Sequence, residues 1–439
     1  MTAWRLVALV AAGAACQERA QEVRSEAELK QTVDQMMPAV ERATGLKFRR
    51  HPLVLRRSRT QVRDYVIHKF DSDLPPAELA GAQAAYRLFG LIPDTLDLRR
   101  TMVDLLTEQI AGYYDPDSNA LYVPADIDPV QVRLIISHEL VHALQDQYLD
   151  LDSLIQLKRQ NDRRTAAQSI LEGQATLSQI LVLMPEQKLE SLPDFWQLRR
   201  ALSQQQEQMR IFAQAPLWLR ESLLFPYLGG AEFVRWFERE HPGEQPYGKR
   251  MPVSTEQILH PSRYAKGDAP TELAFAGPPS DTVRYEDDLG EFETRLLFTQ
   301  FLGDETEAGL LASGWGGDRY RVLGRAADVL VWYTVWDDRI AADRFAKGLE
   351  RAWHKRTAPR GLPDGRPKGL PDGRPKGLPD GRPKGLPDGR PKGLPDGRRR
   401  SEIKRLVIDG RPAVRLVDAP AGWRGWKNLP RVGVTARTE

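Results

Sequence analysis

Apolar residues recur at helical spacing through most of the first 240 residues of the chain. Ser25 and Glu28 form a capping box at the start of the first such segment, and Gly45 is suited to end it. Residues 162–183 and 216–240 are the two most apolar helical candidates. In total the pattern predicts helices at about 25–45, 58–70, 75–90, 96–110, from 129 onward, 162–183 and 216–240.

Runs rich in β-branched and aromatic residues mark the predicted strands, and turn-forming residues separate them. Residues 111–123, AGYYDPDSNALYV, predict a hairpin that turns at Asp115–Asn119. Residues 403–417 predict a second hairpin that turns at Asp409–Gly410, a pair typical of two-residue turns. Because the strands are few and lie mostly in the last third of the chain, the sequence predicts an α+β fold that is mainly helical.

Changes in this pattern divide the chain into six segments. They are a signal peptide at 1–15, an N-terminal helical and extended region at 16–95, a mainly helical domain at 96–270, an α+β region at 271–360, a repeat insert at 361–400, and a β-hairpin at 401–439 that completes the α+β region.

The insert at 361–400 repeats GLPDGRPK four times and ends with GLPDGRRR. Each unit has one leucine and several turn-forming residues, so we expect a disordered, turn-rich tract without a core of its own. The insert has a net charge of +6 within a chain of net charge +3, so the remainder sums to about −3. A weakly acidic body is atypical of nucleic-acid-binding proteins, and no nucleic-acid partner is expected.

Residues 1–16 have the layout of a secretory leader. MTAWR carries one positive charge, LVALVAAGAA is a ten-residue apolar run, and Cys16 follows small residues. The run is too short to span a bilayer. The layout predicts secretion. It also resembles a bacterial lipoprotein signal, and this resemblance implies a place in the cell envelope, with membrane contact only through a lipid at Cys16. Cleavage near Ala14 without lipid attachment is the alternative.

Two histidines lie four residues apart within the apolar stretch 134–144. At this spacing His138 and His142 point to the same side of a helix, where both can bind one tetrahedral metal ion. Glu139 is rotated about 100° from His138, so it flanks the ion and can take a proton from an attacking water. HExxH arises by chance in roughly one chain in a hundred of this composition. The uncharged residues around it predict a buried helix and favour a catalytic metal site.

The third ligand decides the class of the metal site. A metzincin would have Gly and His where this chain has Gln145 and Tyr148. The next glutamate along the chain is Glu172, which lies in a predicted helix and is followed by Gly173 and other small residues. Small residues let two helices approach closely, so Glu172 is the candidate third ligand. The alternative places Glu172 on a solvated helix face among glutamines.

HExxH with a glutamate on a later helix resembles the gluzincin branch of the zincin metallopeptidases. EQIAGYYDPDSNALYV, HELVHALQDQ and LEGQATL together resemble a group of bacterial secreted or membrane-associated zincin-like proteins. The resemblance covers about 97–180, and implies that 96–270 is a zincin-like metallopeptidase domain with a small edge sheet. It also implies that His138, His142 and Glu172 bind Zn²⁺ and that Glu139 is the general base.

The resemblance further implies how a substrate would bind. In zincins a peptide lies along the strand before the active-site helix, so NALYV at 119–123 is expected to be an edge strand.

Such proteins often have an acidic residue where this chain has Gln174. Asp146, one turn beyond His142, is the candidate to orient that histidine instead. Tyr227 and His260 lie in proline-marked stretches and are candidate hydrogen-bond donors to the oxyanion.

These observations predict a zinc endopeptidase that acts on a peptide or protein substrate. Zinc would lower the pKa of its water toward about 7, and Glu139 would take the proton and return it to the leaving amine. Two alternatives stay open: a non-catalytic envelope or scaffold protein that keeps zinc for folding, and a zinc hydrolase of a non-peptide substrate. Because a structural zinc site does not need Glu139, its presence favours catalysis.

Overall fold

The computed structural model describes residues 7–9, 26–125, 127–155, 157–192, 194–195, 209–279, 281–324, 327–357 and 399–435. The predicted leader and the octapeptide insert lie outside these residues, apart from 7–9 and 399–400. Within the described residues, no helix combines the length and the apolar character that crossing a membrane requires.

Helices dominate the first 265 residues, and the mainly helical α+β class predicted from the sequence is confirmed. The described helices are α1 (Glu26–Thr44), α2 (Arg59–Asp73), α3 (Pro76–Phe89), α4 (Leu98–Gln109), α5 (Pro129–Gln145), α6 (Leu151–Ile155), α7 (Asn161–Leu183), α8 (Arg210–Gln214), α9 (Leu217–Glu240), α10 (Thr255–Leu259), α11 (Pro261–Ala265), α12 (Gly290–Leu302), α13 (Glu305–Ala312) and α14 (Arg339–Thr357).

The strands form three sheets among the described residues. Both predicted hairpins are present, and the second turns through Asp409 and Gly410, which have φ angles of 45° and 83°. The strands are β1 (Val7–Leu9), β2 (Leu53–Arg57), β3 (Ile110–Asp115), β4 (Ala120–Pro124), β5 (Leu273–Ala276), β6 (Val283–Asp287), β7 (Trp315–Leu323), β8 (Val329–Trp336), β9 (Arg399–Ile408), β10 (Arg411–Pro420) and β11 (Arg431–Val434).

The first sheet has the strand order β1-β3-β4-β2. β4 pairs antiparallel with β3 and parallel with β2, so both of its edges are hydrogen-bonded. The expectation that NALYV forms an edge strand is therefore wrong. The parallel partner β2 lies more than 60 residues upstream of β4 in the sequence, and such non-local pairing leaves no local signal.

Helix α5, which carries the HExxH motif, packs against one face of this sheet. Ile136, Leu140 and Val141 share a buried cluster with Leu121 and Val123 of β4. Gly112 lets β3 come close, because a Cβ at this position would overlap the side chain of Ile135. The sheet thus supports the motif helix from one side.

Helices α7 and α9 make backbone contact at two glycines. A Cβ at Gly173 would overlap the backbone of Gly230, and a Cβ at Gly230 would overlap the carbonyl oxygen of Ser169. No side-chain rotation can relieve an overlap with backbone. Helix α7, which carries Glu172, therefore lies in backbone contact with α9, and it also packs against α5.

The second sheet has the strand order β6-β7-β8-β10-β9 and is antiparallel throughout. All eight residues of β8 are buried, because helices cover one face and β5 with β11 cover the other. Phe89 of α3 packs edge-on against Tyr320 and Trp332 of this sheet, with ring centroids 5.1 and 5.3 Å apart. The helical region and the C-terminal sheet therefore share one hydrophobic core.

Buried carboxylates accept hydrogen bonds from the N-terminal ends of three helices. The backbone nitrogen of Asn161, at the start of α7, donates to Asp287 over 2.9 Å, and that of Thr255, at the start of α10, donates to Asp162 over 2.9 Å. Leu289 and Gly290, at the start of α12, donate to Asp318. These N–H groups have no partner within their own helices, so the carboxylates satisfy them. We call Asp162, Asp287, Asp318, Glu291 and Glu293 the carboxylate cluster.

Replacing Gly230 with alanine is expected to force α7 and α9 apart and to lower the free energy of unfolding by at least about 1–3 kcal/mol. Urea denaturation measures this change. Gly422→Ala is the control, because a Cβ at Gly422 has no atom within 4 Å. Equal stability of the Gly230→Ala protein and the wild type would contradict the contact.

The carboxylate cluster makes stability depend on pH. Burial raises the pKa of Glu293 from 4.5 to about 8, and that of Asp162 from 3.8 to about 7. The folded state therefore holds protons that the unfolded state releases, and the free energy of unfolding should fall as pH rises from about 4.5 to about 8. In urea titrations across this range, Glu293→Gln should flatten the fall, whereas the exposed Glu186→Gln should not. Identical pH profiles for Glu293→Gln and wild type would exclude this role.

Candidate metal centre

Three buried side chains from two helices meet at one point. His138 and His142 lie on the same side of α5, and Glu172 reaches them from α7. The Nε2 atoms of the two histidines are 3.1 Å apart. The Oε2 atom of Glu172 lies 3.2 Å from Nε2 of His138 and 3.5 Å from Nε2 of His142. Glu172 is only 1% exposed, so the alternative of a solvated glutamate is wrong.

These separations fit a tetrahedral metal site. Ligand atoms bonded at 2.0–2.1 Å to a tetrahedral zinc lie about 3.3–3.4 Å from one another. The observed values of 3.1, 3.2 and 3.5 Å lie around that figure. Among the described residues these three side chains form the group that could hold a metal, and three protein ligands leave the fourth position of a tetrahedral ion to water or substrate, as in catalytic zinc sites. The residues present can therefore hold a metal ion.

The electrostatics of the cluster favour a cation. Burial opposes ionisation of Glu172, but His142 and His138 outweigh it and lower the pKa of Glu172 to about 2. Burial also opposes protonation of His142, but the charges of Glu172 and Glu139 raise its pKa overall. Burial dominates at His138, whose pKa is lowered. Two carboxylates thus act together on this buried site, where a positive ion would offset their charge.

Glu139 lies directly beside the ligands. It follows His138 on α5, its side chain is fully buried, and its charge acts on His142. This placement agrees with the flanking position expected from the helical geometry of HExxH. Its role as a general base stays a prediction.

Gln145 orients His142, although the sequence pointed to Asp146. The Nδ1 atom of His142 lies 2.8 Å from Oε1 of Gln145. The carboxylate of Asp146 accepts a hydrogen bond of 2.8 Å from the hydroxyl of Tyr114 and lies 3.6 Å from the guanidinium of Arg50. Because Asp146 comes four residues after His142 and Gln145 three, both lie near the histidine on the helix, and only packing selects between them.

The two candidate oxyanion donors lie in different surroundings. The ring of Tyr227, on α9, stacks on that of His138, with centroids 6.0 Å apart and an angle of 22° between the planes. Nε2 of His260 lies 2.8 Å from Oε1 of Glu291, in the carboxylate cluster. The structure thus brings Tyr227 to the metal ligands and pairs His260 with a different group. Both oxyanion roles stay predictions.

Gln174 and Tyr247 also lie beside the centre, and no sequence pattern marks Tyr247 as functional. Nε2 of Gln145 donates to Oε1 of Gln174 over 3.0 Å, and the hydroxyl of Tyr247 donates to the same oxygen. Gln174 follows Glu172 by two residues, which was a usable signal. Tyr247 lies in a loop more than 70 residues away, and nothing local marks it.

Comparisons with known proteins cover parts of the chain. Residues 281–372 match a domain family of unknown function, DUF8575. A crystal structure from Chloroflexus aurantiacus, described as a provisionally assigned hydrolase with a novel fold, aligns with a TM-score of 0.36 and 18% identity over 57% of this chain and 92% of that one. No curated protein matches the sequence.

Replacing Glu172 with alanine removes one of three ligands and should weaken metal binding by more than about 100-fold, beyond the usual loss from an outer partner. Elemental analysis and competition with a chelator measure the loss. Glu186→Ala, an exposed glutamate, is the control. Unchanged affinity in Glu172→Ala would exclude Glu172 as a ligand.

Proposed function

We propose that this protein is a zinc-dependent hydrolase of peptide bonds. The convergence of His138, His142 and Glu172 beside the buried Glu139 carries the proposal. Two imidazoles and a carboxylate with an open fourth position form a donor set typical of zinc hydrolases. The resemblance of three sequence stretches to zincin-like proteins supports peptides as the substrate class.

Each of these residues has a separate role in the proposed reaction. His138, His142 and Glu172 hold zinc, which polarises a water molecule and a substrate carbonyl when bound. Glu139 accepts the proton of the attacking water and donates it to the leaving amine. Tyr227, whose ring stacks on His138, is the candidate donor to the oxyanion.

An extended peptide cannot pair with β4, because β3 and β2 occupy both of its edges. The outer edge of β3 pairs with β1, at residues 7–9 of the predicted signal peptide. Removal of residues 1–15 would free that edge of β3 for a substrate backbone. The leader-like residues 1–16 also support a place in the cell envelope, with a lipid at Cys16 as the membrane contact.

Glu139→Gln is the decisive variant, because it keeps the size of the side chain and removes the proton acceptor. Both wild type and variant should contain one zinc per chain, and the variant should cleave a peptide library about 10²–10⁴-fold more slowly. Mass spectrometry of the peptides and elemental analysis of the proteins measure the two results.

Three outcomes count against the proposal in different ways. Wild type without zinc excludes the metal centre. Equal cleavage by Glu139→Gln excludes Glu139 as the base. Zinc-loaded wild type that hydrolyses esters but no peptides, in a Glu139-dependent manner, excludes peptides as the substrate while keeping the hydrolase.

A further inference from the structure

A series of glutamine side chains runs away from the metal centre. Oε1 of Gln145 lies 2.8 Å from Nδ1 of His142, and Nε2 of Gln145 lies 3.0 Å from Oε1 of Gln174. Nε2 of Gln174 lies 2.9 Å from Oε1 of Gln245, and Nε2 of Gln245 lies 2.9 Å from the carbonyl oxygen of Thr44. We call Gln145, Gln174 and Gln245 the glutamine chain.

The hydrogen bonds at the end of the glutamine chain nearest to His142 run in a fixed direction. Nε2 of Gln145 also donates to the carbonyl oxygen of Leu171 over 3.0 Å. A backbone carbonyl can only accept a hydrogen bond, so the amide nitrogen of Gln145 must face it. The amide oxygen of Gln145 then faces His142, and this imidazole must donate from Nδ1.

The far end of the chain requires the same direction. The carbonyl of Thr44 also can only accept, so the amide nitrogen of Gln245 faces it and the amide oxygen faces Gln174. Gln174 must therefore donate to Gln245 and accept from Gln145. Thr44 ends α1, and carbonyls at a helix C-terminus carry partial negative charge, which suits a terminal acceptor.

We infer that the glutamine chain holds His142 as the Nδ1-protonated tautomer and thereby keeps the lone pair of Nε2 available for the metal. The inference deepens the proposed function and rests on the metal centre proposed above. Gln145, Gln174 and Gln245 are positioning residues, since they act through His142.

The neighbours of Nε2 explain why His142 needs this bias. Neutral imidazole has two tautomers, and the other one would place a proton on Nε2. That N–H could donate a hydrogen bond to Oε2 of Glu172, 3.5 Å away, or to Nε2 of His138, 3.1 Å away. Gln145 and Gln174 are buried, and in such surroundings aligned amide dipoles strengthen one another and oppose this tautomer. The amides do not titrate, so the bias does not vary with pH.

The glutamine chain also explains how His142 can be oriented although position 174 is a glutamine and not an acidic residue. A carboxylate is the usual acceptor behind a metal-binding histidine, and it makes the imidazole more basic. Here the neutral amide of Gln145 accepts the hydrogen bond from Nδ1–H. The amides of Gln174 and Gln245 in turn hold the amide of Gln145 in position. The orientation is kept without adding a third buried negative charge beside Glu139 and Glu172.

The test compares Gln145→Leu, Gln174→Leu and Gln245→Leu with wild type. Gln179→Leu is the matched control. Gln179 also lies on α7 and donates to the carbonyl oxygen of Leu134 on α5, but it is not part of the glutamine chain. Zinc affinity is measured by chelator competition. The tautomer of His142 in the metal-free protein is read from its imidazole ¹⁵N shifts at a pH where the ring is neutral.

Gln145→Leu should weaken zinc binding about 10–100-fold and move the His142 proton toward Nε2. The effect should decrease from Gln145 to Gln174 to Gln245, and Gln179→Leu should change neither readout. Gln174→Glu should keep the His142 proton on Nδ1, because its carboxylate still accepts from Gln145, although it cannot donate to Gln245. If Gln145→Leu does not fold, Gln174→Leu and Gln174→Glu decide.

Unchanged affinity and an unchanged tautomer in Gln145→Leu and Gln174→Leu would overturn the inference. Equal losses in Gln179→Leu and the chain variants would also overturn it, because they would reflect packing alone. Wild type that binds no zinc would instead remove the proposed function. The ¹⁵N shifts of the metal-free proteins would still decide whether the chain sets the tautomer.

Discussion

Backbone contact between α7 and α9 is the constraint on which the centre depends. Glycines at 173 and 230 allow the backbones of these helices to touch, and α7 also packs against α5. Glu172 precedes Gly173 by one residue, so the same contact places its carboxylate within 3.5 Å of both imidazoles. A buried carboxylate so placed needs a cation or a proton between itself and the histidines.

The N-terminal end of α7 is fixed by a different interaction. Asp287 and Asp288 accept hydrogen bonds from the backbone N–H groups of Asn161 and Asp162. The helix that carries Glu172 is therefore anchored to the region before α12. These two aspartates lie within residues 281–372, the part that matches a domain family of unknown function. The C-terminal region therefore contributes to the position of the helix that carries Glu172.

Local patterns predicted much of the structure. Helical spacing gave the helices, including the start of α5 at Pro129, and the residues DPDSN gave the turn between β3 and β4. The four-residue spacing of His138 and His142 predicted two candidate metal ligands, and the small residues after Glu172 pointed to the third candidate. The helices, the turn and the shared orientation of His138 and His142 are decided by neighbours within a few residues, whereas the position of Glu172 also depends on the contact of α7 with α9.

The features that could not be predicted depend on distant contacts. β4 is an interior strand because β2 pairs with it from far upstream. Gln145 rather than Asp146 faces His142, because Tyr114 and Arg50 engage the aspartate. Gln245 joins the centre from a loop 71 residues beyond Gln174. No short stretch of sequence records such pairings.

The most direct measurement is anomalous X-ray diffraction at the zinc absorption edge, from crystals of protein purified without a chelator. The proposed metal centre predicts one peak within about 2.0–2.1 Å of Nε2 of His138, Nε2 of His142 and a carboxylate oxygen of Glu172. A map with no peak among these atoms, in a protein whose side chains are arranged as described, would contradict it.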